Sequence, residues 1–403
     1  MDPSSHTLNS QLLIVENYTG EERRLEMSDG TIMIIGLGEV GGKALELLAR
    51  RPGIARIVGA DVNDTYGSQK VNNALFGAQM EGIYPNIDFV KIDLKDIDRT
   101  AETLASIKPS VIFNITSLQS YWVVELLPKE IHKKYQQAGF GPWLPMHLTL
   151  CYKLMRAIER SGIKTWVING AYPDAVNPTL AKVGQAPVAG IGNGENVIPQ
   201  LQKVISLKKN VPMRSIFLSL VMHHYAEYWV VREGHTGGGR AYLRILIDGN
   251  DVTNEFSPDE LYSDIIKYAR RPGRPDGHYL IASSGIQKIL SIYFDTREYC
   301  SCIAGPYGMM GGYPGRLSQK GFELELPKGI TLEEAVKINW ESSALEGIEE
   351  IRDDGTVVFT ENNRQRMKDL LNYDCRVMKI DECEERATEL GQKYNEFSKK
   401  YLK

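Results

Sequence analysis

The sequence predicts an α/β protein in which a doubly wound parallel sheet is followed by an α+β domain. In the first half of the chain, short apolar runs that suit strands buried on both faces alternate with segments of helical periodicity. After Pro178 this alternation stops, and amphipathic strands are mixed with helices. At 403 residues the chain is long enough for two packed domains.

The predicted parallel sheet has five strands. The first is the apolar run from Ile32 to Ile35, and a segment of helical periodicity follows it. The other four strands end near Asp61, Leu94, Thr116 and Gly170. Because the strands alternate with helices, we expect right-handed crossovers and a doubly wound sheet.

The composition argues against several classes of protein. With 42% hydrophobic and 24% charged residues, the chain has an ordinary globular composition. A formal net charge of -4 without a basic face argues against a nucleic-acid partner. No apolar run is long enough to cross a membrane and the N-terminus lacks signal-peptide features, so we predict a cytoplasmic protein without a membrane partner. The five cysteines lack CxxC spacing and are expected to be buried free thiols.

The stretch GLGEVG matches the G-x-G-x-x-G pattern at Gly36, Gly38 and Gly41. Glycines at this spacing, between a strand and a helix, let the backbone approach a pyrophosphate at the helix N-terminus. Asp61 follows at the end of the next strand, where a carboxylate can bind the ribose 2′-hydroxyl of a dinucleotide. Because Asp61 would repel a 2′-phosphate and no arginine follows it directly, NAD is favoured over NADP. The first half of the chain is therefore predicted to be a Rossmann-type domain.

The predicted cofactor-binding residues lie at the carboxyl ends of the strands, where open α/β sheets bind ligands. They are Gly36, Gly38, Glu39, Val40, Gly41, Asp61, Asp93, Asn114 and Thr116. In this interpretation Asp93 is a neighbour of the adenine; the alternative is that it only helps to start the following helix.

The domain organisation follows from these patterns. Residues 1–30 are predicted to form a polar leader, 31–178 the dinucleotide-binding domain, 179–380 the α+β substrate domain and 381–403 a C-terminal amphipathic helix. In the substrate domain, SIFLSLVMHHYAEYWVV and RAYLRILIDG predict strands, and SPDELYSDIIKYARR and SSGIQKILSIYFD predict helices.

Four further segments occur in the chain order VINGAYPDAVNP, VAGIGNGEN, VREGHTGGGR and LPKGITLEEAVKINWESSALEGIEEI. With this order the chain resembles the lactate/malate dehydrogenase family over most of residues 31–370. The resemblance implies that His235 carries the proton and that Asn169 hydrogen-bonds a substrate carbonyl or the cofactor carboxamide. It also implies that Asn196 stands where the family has a histidine-orienting aspartate, with Glu195 as the alternative partner. The structural alternatives are a loop histidine at 235 and a turn asparagine at 169.

The resemblance fails for the arginines through which that family binds a substrate carboxylate, because none occurs between Asn114 and Arg156. A simple 2-hydroxy acid is therefore not expected, and a larger, less charged, sugar-like substrate is preferred. The predicted substrate-binding residues are Trp143, His147, Tyr172 and Asp174. The aromatic residues Tyr121, Trp122, Phe140 and Trp143 either line that site or form a subunit contact, and Tyr172 and Asp174 could instead form a turn.

The pair His223-His224 is expected on a strand, where neighbouring side chains face opposite sides, so at most one can face the site. His147, one of this pair and Asp174 are conceivable metal ligands. Nothing in their spacing requires a metal, and none is predicted.

The sequence thus predicts an NAD-dependent oxidoreductase that transfers a hydride between nicotinamide and a secondary alcohol or ketone. A small molecule is the expected partner, and a homo-oligomer is expected by analogy with related folds. Three alternatives stay open: an NAD-using glycosidase with transient oxidation, an opine- or saccharopine-type dehydrogenase, and a non-catalytic NAD-binding protein.

Overall fold

The computed structural model describes the backbone of residues 13–16, 22–25 and 28–402, and the side chains of residues 30–402 except those of 274 and 275. Most of the predicted polar leader lies outside the described residues. Within it, β1 (Leu13–Glu16) and β2 (Glu22–Leu25) form an antiparallel hairpin.

A six-stranded parallel sheet forms the centre of the first half. Its strands are β3 (Ser28–Ile35), β4 (Ile54–Asp61), β5 (Ile87–Lys91), β6 (Val111–Asn114), β7 (Trp166–Asn169) and β8 (Ala189–Gly190). Their spatial order is β5-β4-β3-β6-β7-β8, and every neighbouring pair is parallel. This is the order of a Rossmann-type doubly wound sheet. The five predicted strands are confirmed, whereas β8 has only two residues and is too short for a recognisable apolar pattern.

Helices cover both faces of this sheet. Those of the first half are α1 (Glu39–Ala49), α2 (Asp64–Met80), α3 (Ile97–Ile107), α4 (Lys129–Ala138), α5 (Leu144–Ser161) and α6 (Pro173–Ala181). The core of one face combines β3 with α1 and α2, and the core of the other combines it with α3 and α5. The predicted domain boundary at residue 178 falls inside α6, and the sheet continues beyond it to β8.

The second half is built around an antiparallel sheet with the order β11-β10-β9-β13-β12 and with β14 beside β13. Its strands are β9 (Ile216–Met222), β10 (Ala241–Ile247), β11 (Asn250–Asp251), β12 (Glu298–Ala304), β13 (Gly312–Ser318) and β14 (Gly321–Leu324). A smaller sheet contains β15 (Ile348–Ile351), β16 (Val357–Phe359) and β17 (Val377–Met378). The α+β character of this half is confirmed.

Seven helices complete the second half. They are α7 (Ile198–Lys209), α8 (His224–Glu233), α9 (Pro258–Tyr268), α10 (Arg274–Tyr293), α11 (Leu332–Glu346), α12 (Glu361–Leu371) and α13 (Cys383–Ser398). Helix α10 returns to the parallel sheet, where Ile286 and Ile289 share a core with Ile32 and Ile34. The two halves are therefore packed through common apolar burial, worth about 1.5–3 kcal/mol for each such side chain.

One strand prediction is wrong in part. β9 ends at Met222, so the segment HHYAEYWVV is not a strand. His223 has extended backbone angles and its Nδ1 accepts the N–H of Tyr225, which caps α8. Ala226 and Val230 then supply the buried face of a helix. The two neighbouring histidines consequently do not alternate across a sheet.

Two sequence expectations about the whole chain can be compared with the structure. All five cysteines are buried and unpaired, as predicted. Within the part of the chain that the structure describes, no helix is both long and apolar enough to cross a membrane.

Candidate active site

The glycine loop between β3 and α1 has the geometry that its sequence requires. Gly36 has φ +95°, and a Cβ there would lie 2.9 Å from Thr116 Cγ2. A Cβ on Gly41 would lie 1.8 Å from the carbonyl oxygen of Gly36, so only glycine lets α1 approach the strand this closely. A Cβ on Gly38 would meet no atom within 4 Å. Two of the three glycines are thus required by packing, and the middle one faces open space.

The N-terminus of α1 offers an anion-binding site of the kind predicted. Its N-cap is Gly38, which has no side chain to bond the first N–H groups of the helix. The first residue, Glu39, is exposed and bonds Lys43 Nζ at 3.1 Å, and this hydrogen bond lowers the pKa of Glu39. The open space at Gly38 and the uncapped helix end fit the pyrophosphate of a dinucleotide.

Asp61 anchors this loop from the end of β4. Its carboxylate accepts the N–H of Leu37 at 2.8 Å and the N–H of Asn63 at 2.9 Å. The predicted contact with a ribose hydroxyl stays a prediction. Asp93, by contrast, is exposed and accepts the N–H of Lys95 at 3.0 Å, just before α3, whose cap is Asp96. The geometry therefore favours the alternative interpretation of Asp93, in which it stabilises the loop that leads into α3.

Three asparagines form a buried network beneath the ends of β6 and β7. Asn114 donates to Asn169 Oδ1 at 3.1 Å and accepts from Thr116 Oγ1 at 2.8 Å. Asn169 also accepts the N–H of Ala171 and donates to Asn177 Oδ1 and to the carbonyl of Ala171. Every hydrogen-bonding atom of the Asn169 side chain is engaged, and the residue is fully buried. This geometry is that of the turn asparagine, and it leaves Asn169 nothing to offer a substrate.

A buried carboxylate and a histidine form the centre of a second cluster. His224, the first residue of α8, places Nδ1 2.5 Å from Glu346 Oε1. Tyr172 donates its hydroxyl to Glu346 Oε2 at 2.6 Å. The backbone N–H of His224 bonds Asp174 Oδ2 at 2.7 Å. Because Tyr172 and Asp174 directly follow β7, the cluster lies at the carboxyl edge of the parallel sheet, the edge that also carries the glycine loop.

The charge of this cluster is concentrated on one pair. Burial opposes the imidazolium of His224, but the charge and hydrogen bond of Glu346 outweigh it and raise the pKa of His224 to about 9. Burial likewise opposes the carboxylate of Glu346, yet His224 holds its pKa below the ordinary value. The side chain of His224 is 19% exposed and that of Glu346 is 3% exposed. With Nδ1 bound to Glu346, Nε2 is the ring nitrogen that a substrate can use.

The other predicted substrate residues differ in how close they lie to the His224–Glu346 pair. The ring of Phe140 contacts those of His147, Tyr172 and His224, with centroid distances of 5.2, 4.2 and 5.3 Å. Burial lowers the pKa of His147 to about 3, and both of its ring nitrogens lack a partner among the described residues. Trp143 is 1% exposed and packs in the apolar core that also contains Tyr172, so it supports the cluster from behind and has almost no surface for a ligand.

His235 lies outside this cluster. It follows Gly234, the C-cap at the other end of α8. Its imidazole is exposed, stacks on Trp229 at 5.6 Å and accepts the N–H of Gly237 at 3.0 Å. This is the geometry of the loop histidine that was the alternative interpretation.

Asn196 and Glu195 do not meet His235 either. Asn196 is 6% exposed and its Nδ2 lies 3.4 Å from Glu227 Oε1. Glu195 forms a short hydrogen bond with Lys288, which is completely buried. Burial opposes the charge of Lys288, but Glu195 outweighs it and raises the pKa of the lysine. Glu195 is therefore occupied as the counter-ion of a buried lysine.

Among the described residues, no three His, Cys, Asp or Glu side chains are arranged to hold a metal ion. His223 is fully buried, with its Nδ1 engaged in capping α8 and 3.8 Å from Glu346.

Comparison with known proteins shows the fold. No protein-family model matches the chain, and no curated protein matches it in sequence. Among solved structures, a lactate dehydrogenase from a Medee basin deep-sea metagenome library aligns with TM-score 0.54 and 11% identity, covering 85% of this chain and 99% of that one. The malate dehydrogenase of Cryptosporidium parvum aligns with TM-score 0.54 and 12% identity over 79% and 98% of the chains. The Eimeria maxima lactate dehydrogenase, solved with NADH and oxamate, aligns with TM-score 0.53 and 15% identity, covering 78% of this chain and 92% of that one.

The chain therefore has the fold of lactate and malate dehydrogenases, and the resemblance drawn from its motifs is confirmed at the level of fold. The sequence analysis did not identify Glu346, the carboxylate that binds the ring of His224. A signal was present in α11, where Asn339, Ser342, Ser343 and Glu346 recur at helical spacing and are all buried. A polar stripe of this kind resembles a solvated face, and only tertiary packing shows that it is covered.

Proposed function

We propose that the protein is an NAD-dependent oxidoreductase that interconverts a secondary alcohol and a ketone, with His224 as the proton carrier. The observation that carries this proposal is that the open glycine loop and the His224–Glu346 pair lie at the same edge of the parallel sheet. The solved structures with this fold are named lactate and malate dehydrogenases, which supports a dehydrogenase activity here.

The cofactor site would be formed by Gly36, Gly38 and Gly41, the N-terminus of α1 and Asp61. When bound, nicotinamide supplies or accepts the hydride. The half-buried carboxylate of Asp61 would repel a 2′-phosphate, which favours NAD over NADP.

The proton chemistry belongs to His224. In carbonyl reduction, the imidazolium donates its Nε2 proton to the carbonyl oxygen; in alcohol oxidation, the neutral ring accepts the hydroxyl proton at Nε2. Glu346 holds the ring through Nδ1 and stabilises the imidazolium, and Tyr172 holds the second oxygen of Glu346. The family's aspartate is thus replaced by a carboxylate from a different helix, whereas Asn196 remains beside the site without contacting this imidazole.

The first test is a calorimetric titration with NAD and NADP. We expect saturable NAD binding by the wild type and at least about a tenfold loss of affinity in Gly38→Val, since the side chain would enter the space for the pyrophosphate without touching the protein. Lys320→Ala, an exposed change elsewhere, is the control. Absence of NAD binding by the folded wild type would contradict the proposal. Binding without turnover of any alcohol or sugar would support the non-catalytic alternative.

We also propose that the protein is a cytoplasmic homo-oligomer. Phe76 and Met80 on α2 and the nearby Tyr84 are 57%, 90% and 78% exposed, and such a concentration of apolar side chains favours a protein contact. Light scattering should give a mass above that of one chain, and the double substitution Phe76→Asp and Met80→Glu should reduce it. An unchanged mass in the double variant would exclude this surface as the contact.

A further inference from the structure

Glu227 is a buried carboxylate in the candidate site that the proposed proton chemistry does not use. It lies one helical turn after His224 on α8 and is 5% exposed. Its contacts are long, with Asn196 Nδ2 at 3.4 Å and an Arg271 guanidinium nitrogen at 4.0 Å from Oε1. A buried carboxylate ordinarily has closer partners than these.

The groups around Glu227 also have unused hydrogen-bonding capacity. Arg271 Nε and Asn196 Oδ1 are buried and have no partner among the described residues. A Cβ on Gly192, in the turn after β8, would lie 3.4 Å from Asn196 Nδ2. The three side chains therefore present donors and acceptors together beside the carboxyl edge of the sheet, where a substrate would lie.

Two arginines of this region, among those whose side chains the structure describes, lie beside carboxylates. Arg271 has Glu227, and Arg232, further along α8, has Glu125 at 3.2 Å. A substrate carboxylate binds best to a guanidinium whose charge is not already neutralised. At Arg271 a substrate carboxylate would lie beside the carboxylate of Glu227, which would repel it. Hydroxyl groups bring no net charge and can both donate and accept, which matches the mixed set of unused groups.

We propose that Glu227 determines substrate specificity: it neutralises Arg271, excludes 2-hydroxy acids, and with Asn196 and Arg271 binds the hydroxyl groups of an uncharged polyol or sugar. This inference rests on the proposed function, since it identifies the substrate class of the same site.

The test compares two classes of probe. Oxamate is titrated into the complex of the protein with NADH, whose formation is measured first by fluorescence, and polyols are offered to the protein with NAD. Oxamate represents a small carboxylate substrate. D-Sorbitol and myo-inositol, offered with NAD, represent polyols. We expect the wild type to oxidise at least one polyol and to show no saturable oxamate binding. Saturable oxamate binding by the wild type, or turnover of L-lactate with neither polyol oxidised, would overturn the inference while leaving the oxidoreductase in place.

The variant Glu227→Gln keeps the size of the side chain and removes its charge. We expect it to gain oxamate affinity by at least about tenfold, because Arg271 is no longer neutralised, and to raise the KM for the polyol more than it lowers kcat. Glu233→Gln, on the exposed end of the same helix, is the matched control and should change neither quantity. Equal oxamate affinity in folded Glu227→Gln and wild type would overturn the assignment of Glu227. No NADH binding by the wild type would overturn the proposed function itself.

Discussion

The two ends of α8 carry histidines in opposite environments. His224 begins the helix, with its backbone held by Asp174 and its ring by Glu346. His235 follows the other end and is exposed against Trp229. A helix of this length is about 15 Å long, so the two rings cannot both reach one reacting carbonyl. The glycine-rich loop leaves the ring of His235 accessible to solvent. The buried carboxylate of Glu346 instead stabilises the protonated form of His224.

The helix itself sharpens this difference. An imidazolium at a helix N-terminus is disfavoured by the helix dipole, and burial disfavours it further. His224 nevertheless has its pKa raised to about 9, because Glu346 outweighs burial. A charge kept at such a position requires a dedicated partner, and shifted pKa values of this kind are concentrated at functional sites.

The largest expected effect is the loss of turnover when His224, but not His235, is removed. We predict that His224→Ala lowers kcat by about 100-fold or more, the usual contribution of a general acid or base, and leaves NAD affinity within about threefold. His235→Ala should keep kcat within about twofold. Steady-state kinetics and NAD calorimetry on both variants check this. The reverse order of effects would return the catalytic role to His235.

The second prediction concerns the partner of His224. Carbonyl reduction needs the imidazolium, so its rate should fall as pH rises through about 9, and alcohol oxidation should rise over the same range. Glu346→Gln removes the charge that raises this pKa, so the fall in reduction should move to lower pH. The measurement is the pH–rate profile of both directions, with the exposed Glu333→Gln on α11 as control. An unchanged profile in Glu346→Gln would separate the carboxylate from the proton carrier.

The third prediction concerns stability. The pKa of His224 is raised from 6.5 to about 9 on folding, so its contribution is fully present below about pH 6.5 and is lost as pH rises through 9. This contribution is of order 3 kcal/mol at most. The free energy of unfolding of wild type minus His224→Gln, from urea titrations at pH 6 and pH 9.5, should decrease with pH. A difference that is constant over this range would contradict the ion pair.

The smallest effect is expected at the exposed end of α8. His235→Ala should change the free energy of unfolding by less than about 0.5 kcal/mol, because a solvated ring that stacks on one neighbour contributes little. Chemical denaturation at neutral pH gives this value. A loss of several kcal/mol would show that the loop of His235 is held far more tightly than its exposure indicates.

The same contrast explains what the sequence could predict. The glycine loop could be predicted because its geometry depends on residues that are adjacent in the sequence. The parallel sheet could be predicted because strands and helices alternate along the chain. The His224–Glu346 pair joins residues 122 positions apart, so no local pattern could reveal it. His235 was favoured through the order of the motifs, which gives position along the chain but not burial. Asn169 was assigned to the correct turn, yet its amide is used up by Asn114, Asn177 and Ala171.

The histidine rings can be observed by NMR while NADH and then a ketone inhibitor are added to protein labelled on its imidazole nitrogens. Variants of His224 and His235 assign the two signals. We predict that the His224 ring titrates with a pKa near 9 and that its Nε2 signal shifts when the ketone binds, while the His235 signals stay unchanged. A response at His235, with His224 unaffected by either ligand, would show that substrate is not protonated at the buried end of α8.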